Sequence, residues 1–309
     1  MTSVVNDLLT KMTKKELFDL ASKKGINVPD EWSKQLLIEL LSLNVSVNDI
    51  KKKMTSTSIK PKGSPIITTQ NLVKKFDDIL ALDKLNLEVM EGELFSLLGP
   101  NGAGKTTTIN ILTGIIKPTN GTATIAGFDV TKNMHEIKKL IGVCPQEAAV
   151  FQFLNAKENI EVIGSLHSLS KKEIKKRTND FLELLGLTEA SKRKAGGYSG
   201  GMLRKLNLMM ALINDPKVAF LDEPTVGMDA RSRRNTWEFI GSLKGENKTI
   251  ILTTHYIEEA EVLSDRVGII DSGKLVEIGS PEELKNKYNA KNLEQVFLNI
   301  TGRRITEGL

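Results

Sequence analysis

The 309-residue chain contains a single cysteine, Cys144, so no internal disulfide can form, and this fits a reducing compartment. No uninterrupted apolar run approaches the roughly 18 residues that a membrane-spanning helix needs, so we expect no such helix. Residues 1–18 lack a basic segment followed by an apolar core, so we expect no secretory signal. With 40% hydrophobic and 26% charged residues, the composition is ordinary for a globular protein.

The net charge of +5 is concentrated near the amino terminus. Residues 1–65 contain eleven lysines against seven acidic residues, which leaves the rest of the chain almost neutral. We interpret this charge as a solvated helical surface with a lysine-rich linker over residues 51–65, with nucleic acid or anionic lipid as alternative partners. Apolar residues at helical spacing predict a small helical module over residues 1–50, in which Gly25 could end the first helix: they are Leu17, Leu20 and Ala21, then Leu36, Leu37, Leu40 and Leu41.

From Ile66 onward, short β-rich runs alternate with helical patterns. Alternation of strands, loops and helices predicts an α/β domain with a mainly parallel sheet. A lysine-rich helical zone over residues 171–189 interrupts the alternation, and no internal repeat is visible. We therefore assign residues 66–309 to one domain.

A glycine-rich loop of the pattern G-x-x-x-x-G-K-[ST] follows the apolar strand FSLL. Its glycines let several backbone N–H groups point at phosphate oxygens, and the N-terminus of the following helix favours the same anion. Lys105 would place its charge near the β- and γ-phosphates, and the Thr106 hydroxyl would ligate Mg²⁺. The pattern predicts a nucleotide-binding loop made of Gly99, Pro100, Asn101, Gly102, Ala103, Gly104, Lys105, Thr106 and Thr107.

A second apolar strand, VAFL, ends in two adjacent carboxylates, Asp222 and Glu223. A phosphate loop alone does not distinguish ATPases, GTPases and kinases. The adjacent carboxylates reduce the number of enzyme classes that fit. In a protein with such a loop, two acids at the end of a strand suit two tasks. We predict that Asp222 holds Mg²⁺ through water and that Glu223 polarises the attacking water as a general base.

Between these two motifs lies the sequence YSGGM at residues 198–202, which closely resembles the LSGGQ signature of ABC-transporter ATPases. Its serine lies 94 residues after Lys105 and 23 before Asp222, and this placement supports the resemblance. A serine hydroxyl and exposed glycine N–H groups at a helix start would form a second phosphate cradle. Its residues are Ser199, Gly200 and Gly201.

Four further residues match positions of the same family, and the resemblance implies a role for each. Gln146, in VCPQE, looks like the Q-loop glutamine, which contacts Mg²⁺ and water and links to the membrane partner. His255, in TTHYIEEAE, looks like the switch histidine that senses the γ-phosphate. Asp229 resembles the D-loop aspartate that reaches across a dimer, and Phe76 lies where the family stacks an aromatic on adenine.

The resemblance covers residues 66–283 and implies an α/β P-loop NTPase fold of the ABC type. Such a fold has a RecA-like core, a small antiparallel β subdomain before it, and a helical insert, here between Gln146 and Ser199. The resemblance also implies ATP and Mg²⁺ as cofactors. Two ATPase subunits, here a homodimer, would sandwich ATP head to tail, with the phosphate loop of one facing the serine loop of the other.

Near the carboxyl terminus, LEQVFL at residues 293–298 and TGR at residues 301–303 resemble the ending of daunorubicin-resistance-type exporter ATPases. In that family a longer C-terminal subdomain commonly separates the two closing motifs, whereas only a few residues lie between Tyr288 and Leu293 here. We therefore do not carry over the regulatory role of that subdomain. The resemblance implies an ATP-hydrolysing subunit at the cytoplasmic face of the membrane that powers a separate polytopic permease subunit. We expect the permease to dock on the apolar residues after Gln146, which are Ala148, Ala149, Val150, Phe151, Phe153 and Leu154.

The alternative is a soluble ABC-type ATPase that acts on nucleic acid through the basic N-terminal module. Residues 1–50 resemble the short SAP- and Rho-N-like modules, some of which bind nucleic acid through basic residues. Such ATPases usually carry two nucleotide domains or a long coiled-coil insertion, and this sequence shows neither. Nucleic acid is therefore not the partner we expect.

Overall fold

The computed structural model describes six residues of the N-terminal segment and then residues 64–244 and 248–302. The chain separates into two compact units, Met1–Lys60 and Pro61–Leu309. In the first unit five of the six described residues are helical and buried, and Ile26 is half-buried and not helical. The predicted positions Leu20, Gly25, Leu36 and Leu40, and the linker up to residue 63, lie outside the described residues. The division into residues 1–50, 51–65 and 66–309 remains a prediction. The six described residues are Leu17, Ala21, Ile26, Leu37, Ile38 and Leu41.

Two sheets form the frame of the second unit. Their strands are β1 (Pro65–Phe76), β2 (Ile79–Met90), β3 (Leu94–Leu98), β4 (Asn120–Ile125), β5 (Phe128–Asp129), β6 (Ile141–Cys144), β7 (Val218–Asp222), β8 (Thr249–Thr254), β9 (Arg266–Asp271) and β10 (Lys274–Gly279).

Helices connect and cover these strands. They are α1 (Lys105–Leu112), α2 (Met134–Leu140), α3 (Ala156–Leu166), α4 (Lys171–Leu184), α5 (Gly200–Leu212), α6 (Ala230–Lys244), α7 (Ile257–Leu263), α8 (Pro281–Lys287) and α9 (Leu293–Thr301). Within the ranges that the structure describes, none of them is long and apolar enough to cross a membrane.

The larger sheet has the strand order β10-β9-β3-β8-β7-β6, and all its pairings are parallel except that of β10 with β9. Every residue of β3, β7 and β8 is buried, as expected for parallel strands covered on both faces of a sheet. The α/β fold with a mainly parallel sheet is confirmed.

The smaller sheet is antiparallel, with the order β2-β1-β4-β5. The prediction placed this region before the glycine-rich loop, but β4 and β5 follow that loop in sequence. The sheet therefore contains strands that precede α1 in sequence and strands that follow it. Pairing between segments so far apart could not be predicted from the sequence. The predicted helical insert is present as α3 and α4, each of which begins with a capping box, at Asn155 and Ser170 respectively.

Candidate functional site

The carboxyl ends of the parallel strands gather four of the predicted residues at one edge of the larger sheet. Lys105 follows β3 through the glycine-rich loop, Gln146 follows β6, Glu223 follows β7 and His255 follows β8. Because β6, β7, β8 and β3 are neighbours in the sheet, these residues meet although up to 150 residues separate them in sequence. In open α/β sheets this edge is where ligands bind.

The glycine-rich loop has a backbone that side chains would disrupt. A Cβ atom at Gly99 would lie 2.3 Å from the backbone oxygen of Ile270. Gly104 has a φ of 106°, and a Cβ there would lie 2.8 Å from the oxygen of Ala81. Gly104 is also the N-cap of α1, whose first-turn N–H groups have no acceptor within the helix. The loop thus ends in a cluster of backbone donors suited to an anion.

Lys105 is buried at the start of α1, and its ammonium group has three oxygen neighbours. It donates to the carbonyl oxygens of Gly99 at 2.8 Å and Pro100 at 3.0 Å. It also lies 3.3 Å from Oε1 of Glu223. Burial lowers the pKa of Lys105, and the neighbouring Glu223 carboxylate opposes that shift. The lysine is therefore a charge held at the loop, where phosphate oxygens would take the place of its present acceptors.

The Glu223 carboxylate is held by three side chains. Besides Lys105, its oxygens lie 3.1 Å from Nδ1 of His255 and 3.3 Å from Nε2 of Gln146. Burial raises the pKa of Glu223, but the contacts with His255 and Lys105 outweigh it and hold the pKa below its ordinary value. The side chain is thus an ionised acceptor, as a general base requires.

The backbone at Glu223 is unusual for a glutamate. Its φ is 49°, in the left-handed region, and its N–H donates to the carbonyl oxygen of Thr253 at 3.1 Å. The same N–H lies 3.1 Å from the Thr253 hydroxyl. The chain turns sharply here, directly after β7, and this turn carries the carboxylate over the end of the sheet.

Asp222 and Thr106 form an oxygen set beside this carboxylate. The buried Asp222 pairs with Thr253 across β7 and β8, and its carboxylate accepts a hydrogen bond from the Thr253 hydroxyl. Burial raises the pKa of Asp222, whereas hydrogen bonds from Thr253 and Thr106 lower it. A hydroxyl, a carboxylate and the amide oxygen of Gln146 are hard donors that suit Mg²⁺. Among the described residues no group of three or more His, Cys, Asp or Glu side chains could hold a metal, so Mg²⁺ would need further oxygens from phosphates and water.

Within the part of the chain that the structure describes, the serine loop, Asp229 and Phe76 share no hydrogen bond or ion pair with this cluster. Within the described ranges no hydrogen bond or ion pair joins the serine loop, residues 199–201, to the glycine-rich loop. Ser199 is the N-cap of α5, and its hydroxyl oxygen accepts from the Met202 N–H at 3.3 Å. Asp229 is exposed before α6 and accepts from the Ser232 N–H at 2.9 Å. Phe76 is 42% exposed at the end of β1, with the Lys74 ammonium 4.6 Å from its ring centre.

Sequence reasoning missed the residues that support His255. The ring of Tyr256 contacts that of His255 at an angle of 40°, with centroids 4.3 Å apart, and the Arg233 guanidinium lies 4.5 Å from the Tyr256 ring centre. Beneath them, the fully buried Glu259 accepts from Thr225 at 2.7 Å and Trp237 at 2.8 Å. The polar run TTHYIEE directly after an apolar strand was the available signal for this network, because buried polar residues need partners.

Comparisons with known proteins match this geometry. The family model described as "ABC transporter" matches residues 82–226. The daunorubicin resistance ATP-binding protein DrrA3 of Streptomyces coeruleorubidus is 38% identical over 231 residues, covering 75% of this chain and 73% of the relative. ABC transporter A family member 5 of Dictyostelium discoideum is 44% identical over 246 residues, covering 78% of this chain but 15% of that protein. A solved dimeric ATP-binding cassette, in a post-hydrolysis state bound to ADP and Pi, superposes with a TM-score of 0.64 at 27% identity over 69% of this chain and 98% of its own.

The chain belongs to the ABC transporter family of ATP-binding proteins, within the daunorubicin-resistance type. It is an ATP-binding subunit with ATPase activity, and its predicted ABC-type fold is confirmed.

Proposed function

We propose that this chain powers an exporter whose membrane-spanning part is a separate permease, and that two copies close head to tail around two ATP molecules at the cytoplasmic face of the membrane. The observation that carries the proposal is the Glu223 carboxylate, held by Lys105, Gln146 and His255 at the end of the parallel sheet. Relatives named for daunorubicin resistance support export as the direction, with a drug-like compound as the cargo.

The hydrolytic step follows from how Glu223 is held. Its pKa lies below the ordinary value, so the carboxylate is ionised, and it can accept a proton from an attacking water once Lys105 has turned to the phosphates. Lys105 exchanges its contact with Glu223 for the β- and γ-phosphates when ATP enters. His255, hydrogen-bonded to the same carboxylate, holds its orientation and reports whether a γ-phosphate is present.

A Mg²⁺ ion would be held by Thr106, Asp222 and Gln146. Bound there, it would neutralise charge that develops on the phosphate oxygens. Asp222 is fixed for this task by the Thr253 hydroxyl, and Gln146 is fixed by its contact with Glu223.

Closure of two copies would bring together a serine loop and a glycine-rich loop, which share no hydrogen bond among the described residues of one chain. Each chain offers two incomplete phosphate sites, one at residues 99–107 and one at Ser199, Gly200 and Gly201. A head-to-tail pair would bring one site of each kind to every ATP, with Asp229 reaching across the interface and Phe76 stacking on adenine. Enclosure excludes water other than the one that Glu223 aligns.

The permease would dock on a groove beside the Gln146 loop. A cavity of about 360 Å³ opens there, and its lining includes Ile115, Val143, Ala149 and Ile163. Of the apolar residues expected to be exposed, Phe153 is 85% and Phe151 50% exposed, Ala149 is exposed, and the rest are half-buried. Such an apolar patch suits a short amphipathic helix from a membrane protein.

The test is the replacement Glu223→Gln, which keeps the size and removes the negative charge. Turnover should fall roughly 10²–10⁴-fold, the usual contribution of a positioned general base. ATP should still bind, because Lys105 and the glycine-rich loop are untouched. Since opening requires hydrolysis, an ATP-dependent dimer should accumulate on size-exclusion chromatography.

The matched control is Glu258→Gln, the same change at an exposed carboxylate on α7. It should turn over ATP like the parent protein. Normal turnover in Glu223→Gln would refute the assignment of Glu223, and His255 would become the leading candidate for positioning water. Loss of turnover without any ATP-dependent dimer would refute the head-to-tail arrangement.

A further inference from the structure

The helix that begins at the serine loop also holds the backbone of Gln146. The Arg204 guanidinium, on α5, donates to the carbonyl oxygen of Gln146 and, at 3.4 Å, to that of Pro145. One turn further, the buried Asn207 amide donates to the same Pro145 oxygen at 3.0 Å and lies 3.3 Å from the Cys144 sulfur. Residues three apart lie on one helix face, so both side chains donate hydrogen bonds to the Gln146 loop from the same side.

Gln146 needs such support because its segment has no helix or strand of its own to hold the backbone in place. The residues between β6 and α3 form neither helix nor strand, and Gln146 itself is exposed. Its side chain nevertheless lies 3.3 Å from the Glu223 carboxylate. A backbone held by a guanidinium and a buried amide can keep that side chain at the carboxylate, since hydrogen bonds from a charged donor are the strong ones.

The same helix carries the phosphate cradle. Ser199 caps α5, and Arg204 follows about 7.5 Å along the axis at the usual rise per residue. All residues from Lys205 to Leu212 are buried, so the core holds this part of the helix, and Arg204 lies directly between it and the exposed serine loop. A displacement of the first helical turn on phosphate binding would therefore reach Arg204 and the Gln146 carbonyl.

We propose that Arg204 and Asn207 are positioning residues for Gln146 and that, through them, α5 couples the two ATP sites of the pair. This rests on the proposed head-to-tail arrangement. Phosphate bound to Ser199, Gly200 and Gly201 belongs to the neighbouring site, whereas Gln146 acts in the chain's own site. Occupation of one site thus sets the position of Gln146 in the other.

The test measures ATPase rate against ATP concentration for the full-length chain, with Arg204→Met, Arg204→Lys and Asn207→Leu. In Arg204→Met and Asn207→Leu we expect kcat to fall about 10- to 100-fold, as for a misplaced active-site group. KM should change by less than about threefold, because the glycine-rich loop is intact. The Hill coefficient should drop to about 1, since coupling between sites is lost. Arg204→Lys should keep part of the kcat and part of the Hill coefficient of the parent, because the lysine ammonium can still donate to the Gln146 carbonyl.

Arg266→Met is the matched control. Arg266, on β9, also donates to a backbone carbonyl, that of Glu88, at 3.4 Å, and this contact involves neither α5 nor the Gln146 loop. It should lower the unfolding temperature without changing the Hill coefficient. If Arg204→Met lowers only the unfolding temperature and keeps kcat and the Hill coefficient, the contact is structural and the proposal is overturned.

A second measurement separates this proposal from the one on which it rests. The Glu223→Gln protein and its Arg204→Met derivative are compared for ATP-dependent dimers. If the Glu223→Gln single variant forms no ATP-dependent dimer, the head-to-tail arrangement is refuted. A dimer there, combined with unchanged kinetics in Arg204→Met, would refute only the coupling through α5.

Discussion

The Lys105 ammonium group lies 3.3 Å from the Glu223 carboxylate, and both side chains are only 4% exposed. The residue assigned to phosphate and the residue assigned to water therefore contact each other directly. Arrival of ATP must redistribute this pair, because the lysine cannot satisfy the carboxylate and the phosphates equally. In the proposed mechanism, phosphate binding and the release of Glu223 from Lys105 are therefore one event.

Lys105→Ala should weaken ATP binding by about 10- to 100-fold, the value of one or two hydrogen bonds to a charged group. It should also raise the pKa of Glu223, which loses one of the partners that lower it. Equilibrium titration with a fluorescent ATP analogue measures the affinity. Lys132→Ala, at an exposed lysine outside the site, serves as control. Equal affinity in both variants would contradict the role of Lys105.

Phe153→Ser and Phe151→Ser should release the chain from solubilised membranes in pull-down experiments. Both remove exposed apolar surface beside the groove that we assign to the permease. Val262→Ser removes a 61% exposed apolar side chain on α7 and should leave recovery unchanged. If all three variants are recovered with a membrane protein in the same amount as the parent chain, the permease docks elsewhere.

Glu259 predicts a pH dependence of stability with a definite sign. Burial raises the pKa of Glu259 above its ordinary value of 4.5, against hydrogen bonds that include those from Thr225 and Trp237. The folded state therefore favours the protonated acid. This contribution to stability is complete below the unfolded-state pKa and is lost as pH rises through the folded-state pKa.

Glu259→Gln resembles the protonated acid and can still accept from Thr225 and Trp237. Its unfolding free energy relative to the parent should therefore improve as pH rises from 5 to 8, measured by urea denaturation. Glu259→Leu leaves both donors unpaired and should lose about 1–3 kcal/mol for each at either pH. A gap between Glu259→Gln and the parent that is the same at both pH values would contradict the ionisation of Glu259.

Removal of residues 1–62 should leave ATP affinity within about twofold, since nearly all of the removed segment belongs to a different compact unit from the nucleotide residues. Every residue that we assign to the nucleotide lies at Phe76 or later. Isothermal titration of the full and shortened chains measures this. A shortened chain unable to bind ATP would show that the predicted domain boundary is wrong. If the removed segment binds nucleic acid, that binding should weaken steeply with salt.

Local sequence determines much of this site, because its parts are contiguous motifs at the ends of strands. The glycine-rich loop, Asp222 and Glu223 could be located from the sequence. In each case an apolar strand is followed by residue types that suit phosphate, metal or water. Gln146 and His255 required family resemblance, since a lone glutamine or histidine after a strand has no distinctive pattern.

Contacts between segments distant in sequence could not be read in the same way. Thr253 supports both Asp222 and Glu223 because β7 and β8 pair in parallel, and only that register brings the three together. Arg204 looks like an ordinary charged residue on an amphipathic helix. Its target is a backbone carbonyl, which carries no sequence signature at all.

The left-handed backbone at Glu223 sets stability and activity against each other at a single position. A glutamate at positive φ costs roughly 1–2 kcal/mol that glycine would not incur, and asparagine tolerates this region better. Glycine or asparagine here would relieve this backbone strain, but either would leave the buried Lys105 without its carboxylate partner and would remove the group that we assign to activating water. A screen that scores turnover together with heat resistance would keep the strained glutamate and find its stabilising mutations elsewhere in the chain.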